Sequence, residues 1–273
     1  MSKKGVWSLI IGGVLVLLLG GLAFTTELYR TQASQTATAK ALTQKRPLIM
    51  IAGSSSTRSD FDDIHKSLNG QKHHPVLTVT VTAKQQLQFS NSQVNKSNIN
   101  NAIIDIYFED STDSNDNIIT QTTGLAKAMT ALQKRFDFKS ANALGYSNGG
   151  LIWSRYLAGL ATDKPETIHD LMLIGTPFLG TDEDHPDHDL YDPMLKNKDK
   201  FDSLHTVINI AGDTGNGDDN VVPLSSVTAG SKLFMNKVTR YTAMTVNQKS
   251  INHGDLLHEA YVARLIRQNL ITQ

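Results

Sequence analysis

Cysteine is absent from the 273 residues. Disulfides, thiolate nucleophiles and Cys-ligated zinc or iron–sulfur centres are therefore excluded, and stability rests on core packing. Neither sign of charge is in excess, because 26 Lys and Arg balance 26 Asp and Glu for a formal net charge of zero. With no global field drawing the chain towards polyanions, nucleic acid is not an expected partner. Aromatic residues make up only 7%, but 40% of the chain is hydrophobic and 19% charged. That balance belongs to a globular protein, not to a disordered or multi-span membrane chain. The length accommodates one large α/β domain or two small ones with a sizeable core, and no internal repeat divides it.

Long apolar runs are also scarce, with one exception at the N-terminus. Gly5 to Phe24 is apolar apart from Ser8, and Lys3 and Lys4 precede it. About 20 such residues span a bilayer as a helix, and the lysine pair orients that helix with its N-terminus inside and the remainder outside. A cleaved signal peptide has a shorter apolar core followed closely by a small-residue site, whereas here Ala37-Thr38-Ala39 lies well past the run. Residues 1–24 thus read as a membrane anchor in preference to a cleaved leader, in which case the folded domain lies outside the cell membrane. Residues 25–46 are rich in Thr, Gln, Ala, Ser and Lys without apolar periodicity, a flexible linker reaching about 25 Å as a coil. The folded domain is expected over 47–273.

Within it, Leu48 to Ala52 is a continuous apolar run ending at Gly53, as for a strand buried on both faces. A short helix through Phe61, Ile64 and Leu68 follows, with cap candidates in Ser56 to Ser59 and dipole-complementing Asp60, Asp62 and Asp63 in its first turn. Val76–Val81 and Ala102–Phe108 read as strands, with 86–100 a loop or hairpin between them. Apolar residues at Leu125, Ala128, Met129 and Leu132 place a crossover helix over 120–136. Strands at 141–144, 171–174, 207–211 and 238–246, a helix at 151–160 and an amphipathic helix at 253–270 continue the alternation. Such alternation predicts a mainly parallel sheet with helices on both faces. Residues 179–202 break the rhythm and read as a lid-like loop. Its Asp182, Glu183, Asp184, His185, Asp187, His188, Asp189 and Asp192 are read as a solvated acidic cover, with no metal assigned.

Gly145-Tyr146-Ser147-Asn148-Gly149-Gly150 lies between a predicted strand and a predicted helix. It has the form of a nucleophile elbow, in which small residues two before and two after the serine relieve crowding and leave Oγ exposed. A serine hydroxyl needs an imidazole to take its proton and a carboxylate to orient that imidazole. Chain order places the carboxylate in the loop 213–220, where Asp219 is preferred over Asp218 and Asp213. The imidazole is sought after the last strand, where His253 is preferred and His258 is second. His169 and His205 flank strands, and His65, His73 and His74 precede the serine. An oxyanion takes two backbone N–H donors, one after the nucleophile and one after the first central strand, which gives Asn148 and Ser54, with Ser55 as the fallback.

The elbow, Asp219-Asn220-Val221-Val222-Pro223 and Asn252-His253, in this order, make the chain resemble the α/β-hydrolase superfamily from Pro47 to the C-terminus. Gly175-Thr176-Pro177-Phe178 is similar to its lipase- and esterase-like members, and the apolar N-terminus adds a likeness to cell-surface hydrolases of Gram-positive bacteria. The resemblance implies an α/β-hydrolase fold, Ser147, Asp219 and His253 as a triad, a small-molecule ester as substrate and no cofactor. Two positions depart from the superfamily pattern. Ala52-Gly53 stands where a His-Gly pair is common, and Tyr146 stands where esterases often have His. The same triad serves amide, peptide or acyl-transfer chemistry, and a scaffold without turnover serves as a surface-binding module. Nothing in the sequence sets an oligomeric state.

Overall fold

The strands form because their residues are apolar on both sides of the pleat. In the computed structural model, which describes residues 45–69, 73–90, 93–248 and 251–271, β1 (Leu48–Ile51) is at most 1% exposed along its length. Leu48 and Met50 enter one hydrophobic layer and Ile49 and Ile51 the other, the period-two split expected of a central strand. The remaining strands are β2 (Val76–Val81), β3 (Leu87–Ser90), β4 (Ile103–Phe108), β5 (Ala141–Tyr146), β6 (Ile168–Ile174), β7 (Thr206–Asp213) and β8 (Arg240–Asn247). They form one sheet in the order β3-β2-β4-β1-β5-β6-β7-β8, parallel throughout except for the β2–β3 hairpin at one edge. At the other edge β8 alternates between exposed and half-buried positions, as an uncovered margin does.

Helices cover both faces. On one lie α1 (Asp62–Leu68) and α7 (Ala260–Asn269), whose Ile64, Leu68, Val262 and Ile266 pack on Leu144, Met172 and Ile208. On the other lie α2 (Asn115–Phe136), α3 (Asn148–Leu157), α4 (His188–Lys196) and α6 (Gly230–Phe234), with the short α5 (Leu224–Thr228) leading into α6. Ser114 caps α2 by accepting from the Asn117 N–H, and Asp137 ends it in the left-handed conformation at φ 57°. Trp153 of α3 is fully buried and donates from Nε1 to the Leu144 carbonyl at 3.1 Å, fastening the helix to β5.

Several expected elements take a different form. The 86–100 segment contains β3, so it is a hairpin with a 3₁₀ turn at Ile99–Asn101. Helix α1 begins after Phe61 without a side-chain cap, so Ser56 to Ser59 do not cap it. Asp63 in its first turn also binds Lys66 and His258. The 179–202 segment is not a plain loop. It holds α4 and a 3₁₀ turn at Lys198–Ser203, because Leu190, Tyr191, Met194 and Phe201 all bury their side chains. The final helix is divided into a 3₁₀ turn at His253–Leu257 and α7, since Glu259 is extended between them. The apolar N-terminal segment and most of the linker lie outside the described residues. Among the described residues no helix is long and apolar enough to cross a membrane.

Trp153→Ala removes a fully buried indole and its hydrogen bond. It should lower the unfolding free energy by about 3–5 kcal/mol, read as a lower urea midpoint at unchanged slope.

Candidate active site

Only Ser147 separates β5 from α3, and the whole reversal is concentrated in its backbone, at φ 53° and ψ −130°. A non-glycine residue there is strained and must be held by its surroundings. The Ser147 N–H donates to the Ile174 carbonyl at 2.8 Å and its carbonyl accepts from the Gly150 N–H at 2.9 Å. The turn brings α3 so close to the end of β1 that a Cβ on Gly149 would stand 2.7 Å from the Ala52 carbonyl oxygen. The small residue two after the serine is therefore a steric requirement.

The structure brings three distant side chains into line. Ser147 Oγ lies 2.9 Å from His253 Nε2, and His253 Nδ1 lies 2.7 Å from Asp219 Oδ2. Asp219 is fully buried, a costly place for a carboxylate unless its lone pairs are satisfied. Its Oδ1 accepts from the Val221 and Val222 N–H groups at 3.2 and 2.7 Å, and its backbone carbonyl accepts from the His253 N–H at 2.9 Å. Asn220 Nδ2 donates to Asn252 Oδ1 at 2.8 Å, tying the loop after β7 to the turn that carries His253. Asn252 itself closes a capping box with Asp255. Gly175, at φ 57°, lies under the imidazole, where a Cβ would come within 2.8 Å of His253 Cε1.

The other candidates fall elsewhere. Asp213 Oδ1 accepts from the Gly215 and Gly217 N–H groups and Asp218 Oδ1 from that of Asn220, so both acids shape the turn. His258 pairs with Asp63 on the surface, and His65 with Asp105 beneath α1. Burial pushes the Asp105 carboxyl up, although His65 opposes it. Of the two serines considered for the loop after β1, Ser55 spends its N–H on the Ser111 carbonyl at 2.8 Å and is not available as the fallback. Ser54 and Asn148 line the same cavity as Ser147 and His253. The Asn148 N–H, at the first position of α3, has no acceptor within its own helix.

Two further residues contribute contacts that sequence reasoning did not assign. Tyr146 stacks on the His253 ring with centroids 5.1 Å apart, and its hydroxyl donates to the His253 carbonyl at 2.9 Å. Burial, and then the Asp219 charge, push the phenol well above its ordinary range, so it remains a donor. Asp113, in the loop before α2, accepts from Asn148 Nδ2 at 2.7 Å. Folding alone brings Asp113 to the elbow and the Tyr146 ring to His253.

The cavity holds about 480 Å³, a size suited to a small organic ligand. Leu151, Phe178 and Val222 supply apolar wall, while Asp182, His185 and Asp187 from the lid segment contribute polar groups. Among the described residues one trio could hold a metal, His169, Asp170 and His205. It sits at the N-terminal rim of β6 and β7, opposite Ser147, where the Arg46 charge faces Asp170. Burial would raise the Asp170 carboxyl, but the hydrogen bonds and charges of His169, Thr206 and His205 outweigh it and hold it low. The His169 and His205 rings stack with centroids 4.7 Å apart.

A parallel sheet with helices on both faces and a strained serine elbow defines an α/β hydrolase. The chain belongs to the family described as "Alpha/beta hydrolase of unknown function (DUF915)", which matches residues 35–273. Among solved structures it is similar to a proposed cell surface hydrolase from Lactobacillus plantarum WCFS1, at 32% identity over 83% of this chain and 91% of that one, with a TM-score of 0.71. It is also similar to the product of gene lin2722 from Listeria innocua, at 25% identity over 83% and 94% of the two chains, with a TM-score of 0.73. Comparison with curated proteins gives no match.

Tyr146→Phe keeps the ring on His253 and deletes only the hydroxyl donor. It should cost about 0.5–1.5 kcal/mol in denaturant titration, and Tyr146→Ala, which also removes the stacked surface, should cost more.

Proposed function

We propose that this protein is an extracytoplasmic serine hydrolase that cleaves carboxylic esters through an acyl-enzyme. The observation that carries this reading is the continuous path from Asp219 Oδ2 through His253 to Ser147 Oγ, at 2.7 and 2.9 Å, opening into the 480 Å³ cavity. His253 Nε2 takes the Ser147 proton as Oγ attacks the ester carbonyl, and Asp219 holds the tautomer and stabilises the imidazolium. The Ser54 and Asn148 N–H groups bind the oxyanion of the tetrahedral intermediate. The imidazolium returns its proton to the departing alcohol, and water, activated by His253, then releases the acid.

The size of the cavity and the polar groups Asp182, His185 and Asp187 in its wall support short or soluble esters over long lipids. The apolar run Gly5–Phe24 behind Lys3 and Lys4 supports attachment to the cell membrane with the hydrolase outside. The cell-surface description of the Lactobacillus plantarum relative agrees with that placement.

The full chain should react with a fluorophosphonate probe and hydrolyse short p-nitrophenyl esters faster than matched peptides. Ser147→Ala should abolish labelling and lower ester turnover by at least about 10³-fold. Asp219→Asn should lower kcat by about 10⁴-fold, the scale for a triad whose imidazole loses its orienting carboxylate. A folded chain that neither labels nor turns over any ester sinks the proposal and favours a surface-binding role.

A further inference from the structure

Resting on the ester-hydrolase reading, we infer that Asp113 is a positioning residue that sets the spacing of the two oxyanion-binding N–H groups through the Asn148 side chain. Those two donors, Ser54 and Asn148, lie 94 residues apart in sequence, on the loop after β1 and at the start of α3. An oxyanion hole works only when both donors stand about 2.7–3.1 Å from one developing charge. A misplacement of about 1 Å costs on the order of 100-fold in rate. Something must fix one loop against the other.

Asn148 Nδ2 does so with both of its protons. It donates to Ser54 Oγ at 2.8 Å and to Asp113 Oδ1 at 2.7 Å. A primary amide has two N–H donors, so the pair saturates it and leaves one orientation of the side chain. Ser54 Oγ in turn lies 3.5 Å from the same Asp113 oxygen, closing a triangle of the three side chains. The carboxylate makes the Asn148 bond charge-assisted, stronger than one between neutral groups.

Asp113 stands on a braced support. Asn117 Nδ2 donates to the Thr112 carbonyl at 2.8 Å, Gln121 Nε2 to the Asp110 carbonyl at 2.7 Å, and the Thr112 N–H to Asp110 Oδ1 at 3.1 Å. Ser114, next in sequence, caps α2. A second tie runs from the Ser55 N–H to the Ser111 carbonyl at 2.8 Å. The loop before α2 therefore grips the loop after β1 at two consecutive residues and grips the elbow through Asn148. Such a device adjusts the transition state more than the binding of substrate.

The test is steady-state hydrolysis of p-nitrophenyl acetate by the full chain. Asp113→Ala should lower kcat by about tenfold, a part of the cost of a displaced donor, with KM changed less than twofold and the melting temperature retained. Asp113→Asn, which keeps an acceptor oxygen in the same place, should restore most of the kcat. Asn148→Ala retains its backbone donor and should lose kcat to a similar degree, and the double variant with Asp113→Ala should be no worse than either alone. The inference is overturned if Asp113→Ala keeps the wild-type kcat, if only KM rises, if Asp113→Asn is as impaired as Asp113→Ala, or if the two alanine effects multiply. A wild type whose turnover does not depend on Ser147 overturns the hydrolase reading instead, so the two failures are distinguishable.

Discussion

The one-residue reversal at Ser147 is the constraint on which the rest of the site depends. A strand passes into a helix with a single residue between them, and that residue takes a backbone conformation that L-amino acids avoid. Such strain persists only where the surroundings over-determine it. Here they do, because β5 is fully buried between β1 and β6, and α3 is locked down by Trp153 and by its close approach to the end of β1. The packing of the core and the exposure of the serine hydroxyl are thus two aspects of one geometric fact. Loosening of α3 would relax the turn and withdraw Oγ from His253.

Parallel strand direction extends that constraint to the other groups. β1, β5 and β7 all point the same way, so the loops leaving their C-terminal ends gather on one rim. Ser54 leaves β1, Ser147 leaves β5 and Asp219 follows β7. The turn after β8 adds His253. Each loop is then tied to its neighbour by short polar links: Ser55 to Ser111, Asn148 to Ser54 and Asp113, Asn220 to Asn252, and His253 to Asp219 through both backbone and side chain. The sheet supplies the direction and the links supply the spacing, so neither alone suffices to align groups that far apart in sequence.

The architecture was legible in the sequence where apolar runs were continuous. β1 is buried on both faces and announces itself as an unbroken run, β5 and β7 are buried likewise and interrupted within by Asn142 and Asn209, and the glycine-flanked serine sits where a strand gives way to a helix. The order serine, acid, histidine along the chain narrowed the site to a few residues. It favoured Asp219 over Asp218 and Asp213 without showing where their oxygens point, which only the folded loop after β7 does. Helix α4 was hidden because its apolar residues Leu190, Tyr191 and Met194 are diluted by Asp, His and an internal proline. The break before α7 was hidden too, since it arises at Glu259 from backbone conformation without glycine or proline. Asp113 had no periodic or motif signal, and Tyr146, although inside the elbow, gave no sign of its partner, because the partners lie 35 and 107 residues away.

Those two residues also show how a buried polar site is made compatible with a folded core. Asp219 at zero exposure would be intolerable alone, and two backbone N–H groups and an imidazole offset its desolvation. The imidazole gains no comparable cage. Besides its ring contacts, His253 is held by the Asp219 carbonyl at its backbone N–H, by the Tyr146 hydroxyl at its backbone carbonyl and by the Tyr146 ring against one face of the imidazole. A phenol suits that place because burial keeps it protonated, so it donates without adding a second titrating group beside His253. On the far side of Ser147, Asp113 stands beside the elbow, held to it through the Asn148 side chain. Its bond to Asn148 directs the carboxyl towards an amide. Carboxyl groups thus flank the serine on both sides, buried at Asp219 and exposed at Asp113, each held by hydrogen bonds from its neighbours.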